Sequence, residues 1–375
     1  MANLGPMSRY GWLAVVCATV IAAATSCAAT PPGARLSPSS TTAQAETIPD
    51  ETEGVLAPSK SPNPTPPVAD GTATTLPPEQ SDVWPLTGVQ GQEIGRWPAL
   101  LIKIDNHDRA RPQFGINAAD VVFEEIVEGG LTRLAAIFHS EETDIVGPVR
   151  SVRTSDFDLL RNLNRPLFAN SGGNEAVLEL LRDVDYVDVS SNADLDSYRR
   201  LSDRPAPHNL VTSTKTLRVV GDNRGGGANP PVLFIRRSDN EPTLASATTA
   251  KGVDLDYGAT SVTYRWDPDA HGWMRRQNGS LHVDASGVPV APEIVIVQTI
   301  SYRRSAADGR SPEAVMIGEG PALVLYDGHV LEGYWERPDA GALTRYMDRD
   351  GQVIVFPPGS TWIALPRVGQ VQVVE

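Results

Sequence analysis

Cysteine is nearly missing from this chain of 375 residues: there are two, Cys17 and Cys27, both near the N-terminus. A disulfide-stapled fold and a zinc site built on cysteines are therefore excluded. Lysine is scarce too, at 4 of the 32 basic residues, a skew that fits a GC-rich genome better than a function. Positive charge is in deficit: 32 Lys and Arg against 46 Asp and Glu give a formal net charge of −14. An acidic chain repels phosphate backbones, which argues against a nucleic-acid binder. The six His show no His-x-His or HExxH spacing, so a zinc site on histidines is not expected, and no cofactor is implied. Hydrophobic residues at 41% and charged residues at 21% are a globular balance with room for two domains and a tail.

The N-terminus reads as an address. One cation, Arg9, precedes an apolar run from Trp12 to Ala24, and Ala24-Thr25-Ser26-Cys27 follows. The run is short for a membrane span and has the layout of a secretory signal over residues 1–26. Small residues directly before a cysteine resemble a bacterial lipobox, in which Cys27 takes a diacylglycerol and becomes the new N-terminus. Ala24 stands where Leu, Val or Ile is usual. Two acyl chains anchor a protein stably where one does not, so the expected place is outside the cytoplasm, on the bacterial cell membrane. An ordinary cleaved signal is the alternative. Residues 28–82 hold 11 Pro and no Phe, Trp or Tyr, so residues 27–82 are expected to be a lipidated cysteine and a disordered tether.

Order is expected from Trp84 onward. Strand-like runs cover Leu100–Ile104, Val121–Ile126 and Leu131–Phe138, the last two separated by a turn at Val127-Glu128-Gly129-Gly130. A helix is predicted from Thr154 or Ser155. A second follows Ser171-Gly172-Gly173, with Ala176, Val177, Leu180 and Leu181 as its apolar face. Leu167–Asn170 and Tyr186–Val189 read as short strands. The composition gives an α+β fold: an α/β layer domain over 83–222, a Gly/Pro-rich linker at 223–231, and a smaller β-rich domain over 232–375. Strands are expected there at Ile294–Thr299, Ala322–Tyr326 and Val353–Phe356, with Trp273, Trp335 and Trp362 as core or cleft anchors.

The densest polar region runs from Lys103 to His208. Asp105, Glu124, Glu128 and His208 are the candidates for acid–base work, since paired carboxylates in unequal environments split their pKa values and His titrates near neutrality. In a regular strand Glu124 and Glu128 would share one face and Glu125 the other; solvated hairpin charges are the plainer alternative. Arg150 and Arg153 lie just before a predicted helix start, with Arg111 and Arg133 nearby in sequence. Helix N–H groups and planar guanidinium forks together suit phosphate or carboxylate, although pairing with Glu124, Glu128 or Asp156 would use up the arginines internally. Ser171, Gly172 and Gly173 would let a ligand approach the backbone, or make only a tight turn. Asn209 follows His208 in Ala206-Pro207-His208-Asn209-Leu210.

Several of these stretches together resemble one family. They are Ile102-Lys103-Ile104-Asp105-Asn106, Ala110-Arg111-Pro112-Gln113, Phe123-Glu124-Glu125, Val127-Glu128-Gly129-Gly130, Thr132-Arg133, Gly147-Pro148-Val149-Arg150-Ser151 with Arg153, Ser171-Gly172-Gly173, and Ala206-Pro207-His208-Asn209-Leu210. In the second half Gly333-Tyr334-Trp335 and Pro358-Gly359-Ser360-Thr361-Trp362-Ile363 join them. The likeness is to YerB-type bacterial lipoproteins, built on a domain of unknown function. It implies a lipid-anchored, two-domain envelope protein and supplies no reaction. A fainter similarity is to LytR-CpsA-Psr phosphotransferases, from which the chain departs in having Arg-Ser-Val-Arg where those enzymes have arginine followed by aspartate. Three functions stay open. The first is binding of an anionic envelope ligand, a wall polymer or polyprenyl-phosphate carrier, through Arg111, Arg133, Arg150 and Arg153. The second is a phosphotransferase or hydrolase in which Asp105, Glu124 and Glu128 hold a divalent metal such as magnesium. The third is a scaffold for cell-wall enzymes.

Overall fold

The fold grows from β1 (Leu100–Asp105), whose sequence LLIKID is buried at every position. A run with no outward polar alternation marks a strand covered on both faces. β2 (Val121–Ile126) and β3 (Thr132–Phe138) pair antiparallel, with Glu125 opposite Arg133. β3 also pairs with β1, placing Lys103 opposite Ala135 and Arg133 opposite Asp105. Beyond β1 lie β4 (Leu167–Ala169) and β5 (Val187–Asp188), both parallel additions.

On its other side β2 is joined by a strand from near the C-terminus. Thr361–Ala364 runs parallel to β2 and parallel to Ile294–Gln298, between the two. Gly318–Tyr326, His329–Arg337 and Arg345–Asp348 then extend the sheet antiparallel. The result is one sheet of eleven strands drawn from both sides of residues 223–231. A second, five-stranded sheet contains Gly252–Asp256, Ser261–Asp267, Gly272–Gln277, Ser280–Leu281 and Val371–Val374.

Alternation along β1–β3 feeds two cores. Leu101, Val121, Ala135 and Ile137 pack with Phe157 and Leu160 of α1 (Asp156–Leu160) and with Val177 and Leu181 of α2 (Glu175–Leu181). Ile102, Ile104, Val122, Ile126 and Leu134 face the other way, toward Leu217 of α3 (Thr214–Asn223) and Val253, Tyr264 and Trp273 of the small sheet. Trp273, Trp335 and Trp362 are all buried.

The protein is mostly β-sheet. Among the described residues the α-helices span only 5, 7 and 10 residues, and α/β alternation is confined to the edge of the sheet where α1, β4, α2 and β5 follow one another with β4 and β5 parallel. On α2, Val177 and Leu181 are buried while Ala176 and Leu180 are exposed. The helix is too short for a wider apolar stripe. Val353–Phe356 forms isolated bridges, Val353 with Met347 and Phe356 with Arg236, instead of a strand.

The computed structural model describes residues 82–91, 94, 97–237 and 247–375, all within one compact unit, Thr75–Glu375. The expected signal over 1–26, Cys27 and the tether up to residue 81 lie outside the described residues. Among those described, no helix is long and apolar enough to cross a membrane.

Candidate functional site

The polar residues of the Lys103–His208 region gather at one end of β1, β2 and β3, on both faces. Strand alternation sends Lys103, Asp105, Arg133 and Glu125 to the face that carries α1, and Glu124 and Thr132 to the opposite face. Glu128 does not share the Glu124 face. β2 stops at Ile126, and a short 3₁₀ turn through Gly129 (φ 70°) takes Glu128 away from the strand.

On the α1 face Asp105 is the hub. Segment 147–150 pairs with the end of β1: Asp105 N–H donates to the Pro148 carbonyl at 2.9 Å and Arg150 N–H to the Lys103 carbonyl at 2.8 Å. This sets Arg150 Nε 3.1 Å from Asp105 Oδ2. Val149 N–H in turn donates to the Leu210 carbonyl, which brings in the His208 loop. His208 Nδ1 donates to Asp105 Oδ2 at 2.7 Å, and its ring stacks on His107 at 4.6 Å between centroids. Each of the three loops that deliver Arg111, Arg150 and His208 contains a cis X–Pro bond, at Arg111-Pro112, Gly147-Pro148 and Ala206-Pro207.

Arg133, buried opposite Asp105, donates to the Ser151 carbonyl at 3.2 Å. Burial pushes its guanidinium down, and the like charges of Arg153 and Arg150 push it further, to about 10; Asp105 and Glu128 oppose the shift. Arg153 meets Glu128 through two bonds of 3.0 Å. Burial would raise the Glu128 carboxyl, but hydrogen bonds from Arg153 and Ser311 outweigh it and hold the group at about 2. Three of the four candidate arginines thus converge. Arg111 stands apart. It pairs with Asp108 at 3.2 Å, and burial, opposed by Asp108 and reinforced by Arg275, lowers its pKa.

The helix start expected to cradle an anion is closed from within. α1 begins at Asp156, whose Oδ2 accepts the Arg153 backbone N–H at 2.8 Å. The Ser171 N–H is likewise engaged by the Arg150 carbonyl at 2.9 Å, and the Gly172 N–H by Asn170 Oδ1 at 2.9 Å. Gly172 has φ +84°, and a Cβ there would lie 2.9 Å from Asn192 Nδ2. A Cβ on Gly173 would meet Val152 Cγ1 at 2.9 Å. These glycines allow close chain packing. Asn209 ties its own loop, donating to the Leu201 and Arg204 carbonyls and accepting from Arg200.

The opposite face holds a network reaching into the second half of the chain. Arg275, fully buried, binds both oxygens of Glu124, at 2.8 and 2.9 Å. Glu124 also accepts from Thr132 Oγ1 and Asn106 Nδ2. Arg275 Nη1 donates to His282 Nδ1 at 2.7 Å, so that nitrogen is the acceptor and Nε2–H donates to Gln113 Oε1 at 2.8 Å. Burial and the nearby Arg275 push the His282 pKa down, consistent with that neutral tautomer. The carboxylates thought able to share a metal therefore sit apart: Asp105 with His208 and Arg150, Glu124 with Arg275 on the other face, Glu128 with Arg153. Sequence reading missed Arg275, His282 and Gln277, which join from 150 or more residues away. The one available signal was a pattern of polar side chains, Arg275 and Gln277, at inward positions of a β-strand.

A large sheet completed by a C-terminal strand, with a charged cluster at the end of its first three strands, is the architecture of a class whose function is unknown. Two family models match: "Protein of unknown function (DUF3048) N-terminal domain" over residues 86–226 and "Protein of unknown function (DUF3048) C-terminal domain" over 253–363. The chain belongs to the YerB-type family. It is 31% identical over 290 residues to "Putative lipoprotein YerB" of Bacillus subtilis (strain 168), covering 74% of this chain and 84% of that protein. The crystal structure of the Bacillus subtilis YerB protein superposes with a TM-score of 0.68 at 27% identity, over 78% of this chain and 99% of that one.

Proposed function

We propose that the chain is a lipid-anchored envelope protein whose Arg133, Arg150 and Arg153 hold an anionic ligand, a phosphate carrier or wall polymer. The observation that carries this reading is Arg133. Its guanidinium is buried between two like charges and pushed down to about 10, a state that a bound dianion would relieve. Three guanidiniums face two acidic neighbours, Asp105 and Glu128, which leaves an excess of one positive charge. Anchoring is supported by Ala24-Thr25-Ser26-Cys27 and by the lipoprotein name of the relative. Cys27→Ser should move the protein from the membrane fraction to the soluble one; retention in the membrane would remove the anchor.

The ligand is tested by thermal unfolding with inorganic pyrophosphate. At a hundredfold excess over Kd the midpoint should rise by roughly 5–10 °C, and Arg150→Ala should abolish the rise. No shift in the wild type would shift support to the scaffold for wall enzymes. The Asp105–His208 hydrogen bond beside Arg150 favours one further reading, a phosphotransferase or hydrolase in which Asp105 orients the imidazole as acid or base. Release of orthophosphate during the same titration, lost in His208→Gln, would separate that enzyme from a binder.

A further inference from the structure

Lys103 is fully buried in the middle of the sheet. Its Nζ reaches two carboxyl groups at once, Glu125 Oε1 and Asp156 Oδ1, the latter at 2.6 Å. The three side chains are 0%, 3% and 0% exposed. Lys103 and Glu125 lie on strands flanking β3, where Ala135 stands opposite Lys103 and is small enough to let them meet. Asp156 comes down from the first turn of α1. One cation cannot neutralise two carboxylates, and a net charge in a dry core is costly. Burial, partly offset by the Lys103 charge, holds Glu125 up toward its neutral form. Ser155 donates its hydroxyl to Glu125, and its Oγ accepts the Ala314 N–H at 2.9 Å. Asp156 Oδ2 faces the Arg153 backbone N–H at 2.8 Å.

From this geometry we propose that Lys103 and Asp156 join in a spontaneous isopeptide bond, with Glu125 as the proton carrier. In the first step a proton passes from Nζ to Asp156 Oδ1, 2.6 Å away, and frees the nitrogen lone pair. The Nζ lone pair attacks Cγ. Charge that develops on Oδ2 is met by the Arg153 N–H. Glu125, in its neutral form, first gives its proton to Oδ1, which leaves as water, and then takes one from the nitrogen. The Nζ–Cγ bond forms, the Cγ–Oδ1 bond breaks, and Glu125 is regenerated. The sum is one ammonium plus one carboxylate giving one amide plus one water, with no oxidant or reductant. Held contact replaces a bimolecular encounter, and the dry surroundings slow the reverse hydrolysis. The bond would tie β1 to α1 and close a covalent loop from 103 to 156.

Tryptic mass mapping of the denatured full-length protein decides the matter. A linked Lys103 resists trypsin, so residues 97–109 should appear as a branched species with 154–161, lighter than the two peptides together by one water. Glu125→Gln should reduce that species and release separate 97–103 and 154–161. Lys103→Arg keeps the charge and cannot form the amide. Should either variant fail to fold, the wild type alone decides. Full recovery of unlinked 97–103 and 154–161 from wild type overturns the proposal and leaves the triad a buried ion pair.

Discussion

Arg275 and Glu124 form a fully buried, bidentate pair, and such pairs are asymmetric in energy. Forming one against hydrophobic isosteres gains little, but removing one partner strands the other charge, at about 3–5 kcal/mol. Burial pulls the Arg275 guanidinium down, and Glu124 outweighs it, so Glu124 is the counter-charge that keeps Arg275 ionised. Glu124→Gln should therefore lower the unfolding free energy by about 3–5 kcal/mol in urea. Glu128→Gln, at a carboxyl 38% exposed, should cost no more than ~1 kcal/mol. Equal costs would show that Arg275 has another counter-charge. Glu124 was legible as a candidate because it sits in a charged stretch beside a turn. Its partner was not, because 151 residues separate them and nothing local in the Arg275 strand points to Glu124. Lys103 gave a clearer signal: a single charge inside the apolar run from Leu100 to Ile104 must either break the strand or find buried partners.

At the scale of elements, β1–β3 were readable because their apolar runs are long and bounded by turns. The start of α1 was readable to within a residue or two, but the use of its first turn was not. Thr154, Ser155 and Asp156 look like an ordinary helix start, but the structure spends Asp156 on Lys103, and positive φ at Asn164 and Arg165 marks the end of the segment. The turn between β2 and β3 was legible as a turn, and the structure now distinguishes its two glycines. Gly129 has φ +70° with open space around a hypothetical Cβ. Gly130 has φ +72°, and a Cβ would come within 2.8 Å of the Ala259 nitrogen and 2.9 Å of the Tyr257 carbonyl oxygen. Both substitutions to Ala meet left-handed strain of roughly 1–2 kcal/mol. Only Gly130→Ala also collides with backbone of the second half of the chain, which cannot move aside as a side chain could. Gly130→Ala should be the more destabilising by chemical denaturation, and matching values for the two would show that the 257–259 loop yields freely.

At the scale of the molecule, the decisive strand is Thr361–Ala364. Composition divides the chain near residues 223–231, because the linker is Gly- and Pro-rich and the residues beyond it are mostly β. Composition is blind to which strands neighbour which, and parallel pairing across the chain leaves no local mark. Thr361 lies beside Val121 and Ala364 beside Glu124, so without the C-terminal segment β2 becomes an open edge. The loss extends beyond backbone pairing. The face of β1–β3 that carries Ile102, Val122 and Leu134 packs with Val253, Tyr264 and Trp273, and Glu124 would lose Arg275. An exposed apolar strand edge beside an uncovered apolar face drives association with other chains. Residues 83–222 produced alone should therefore aggregate or lack a cooperative transition. The span from residue 82 to 375 should unfold in one step, with near-ultraviolet and far-ultraviolet dichroism coincident. A soluble 83–222 fragment with its own sharp transition would mean that the first half folds independently, and that Thr361–Ala364 docks onto a sheet already formed.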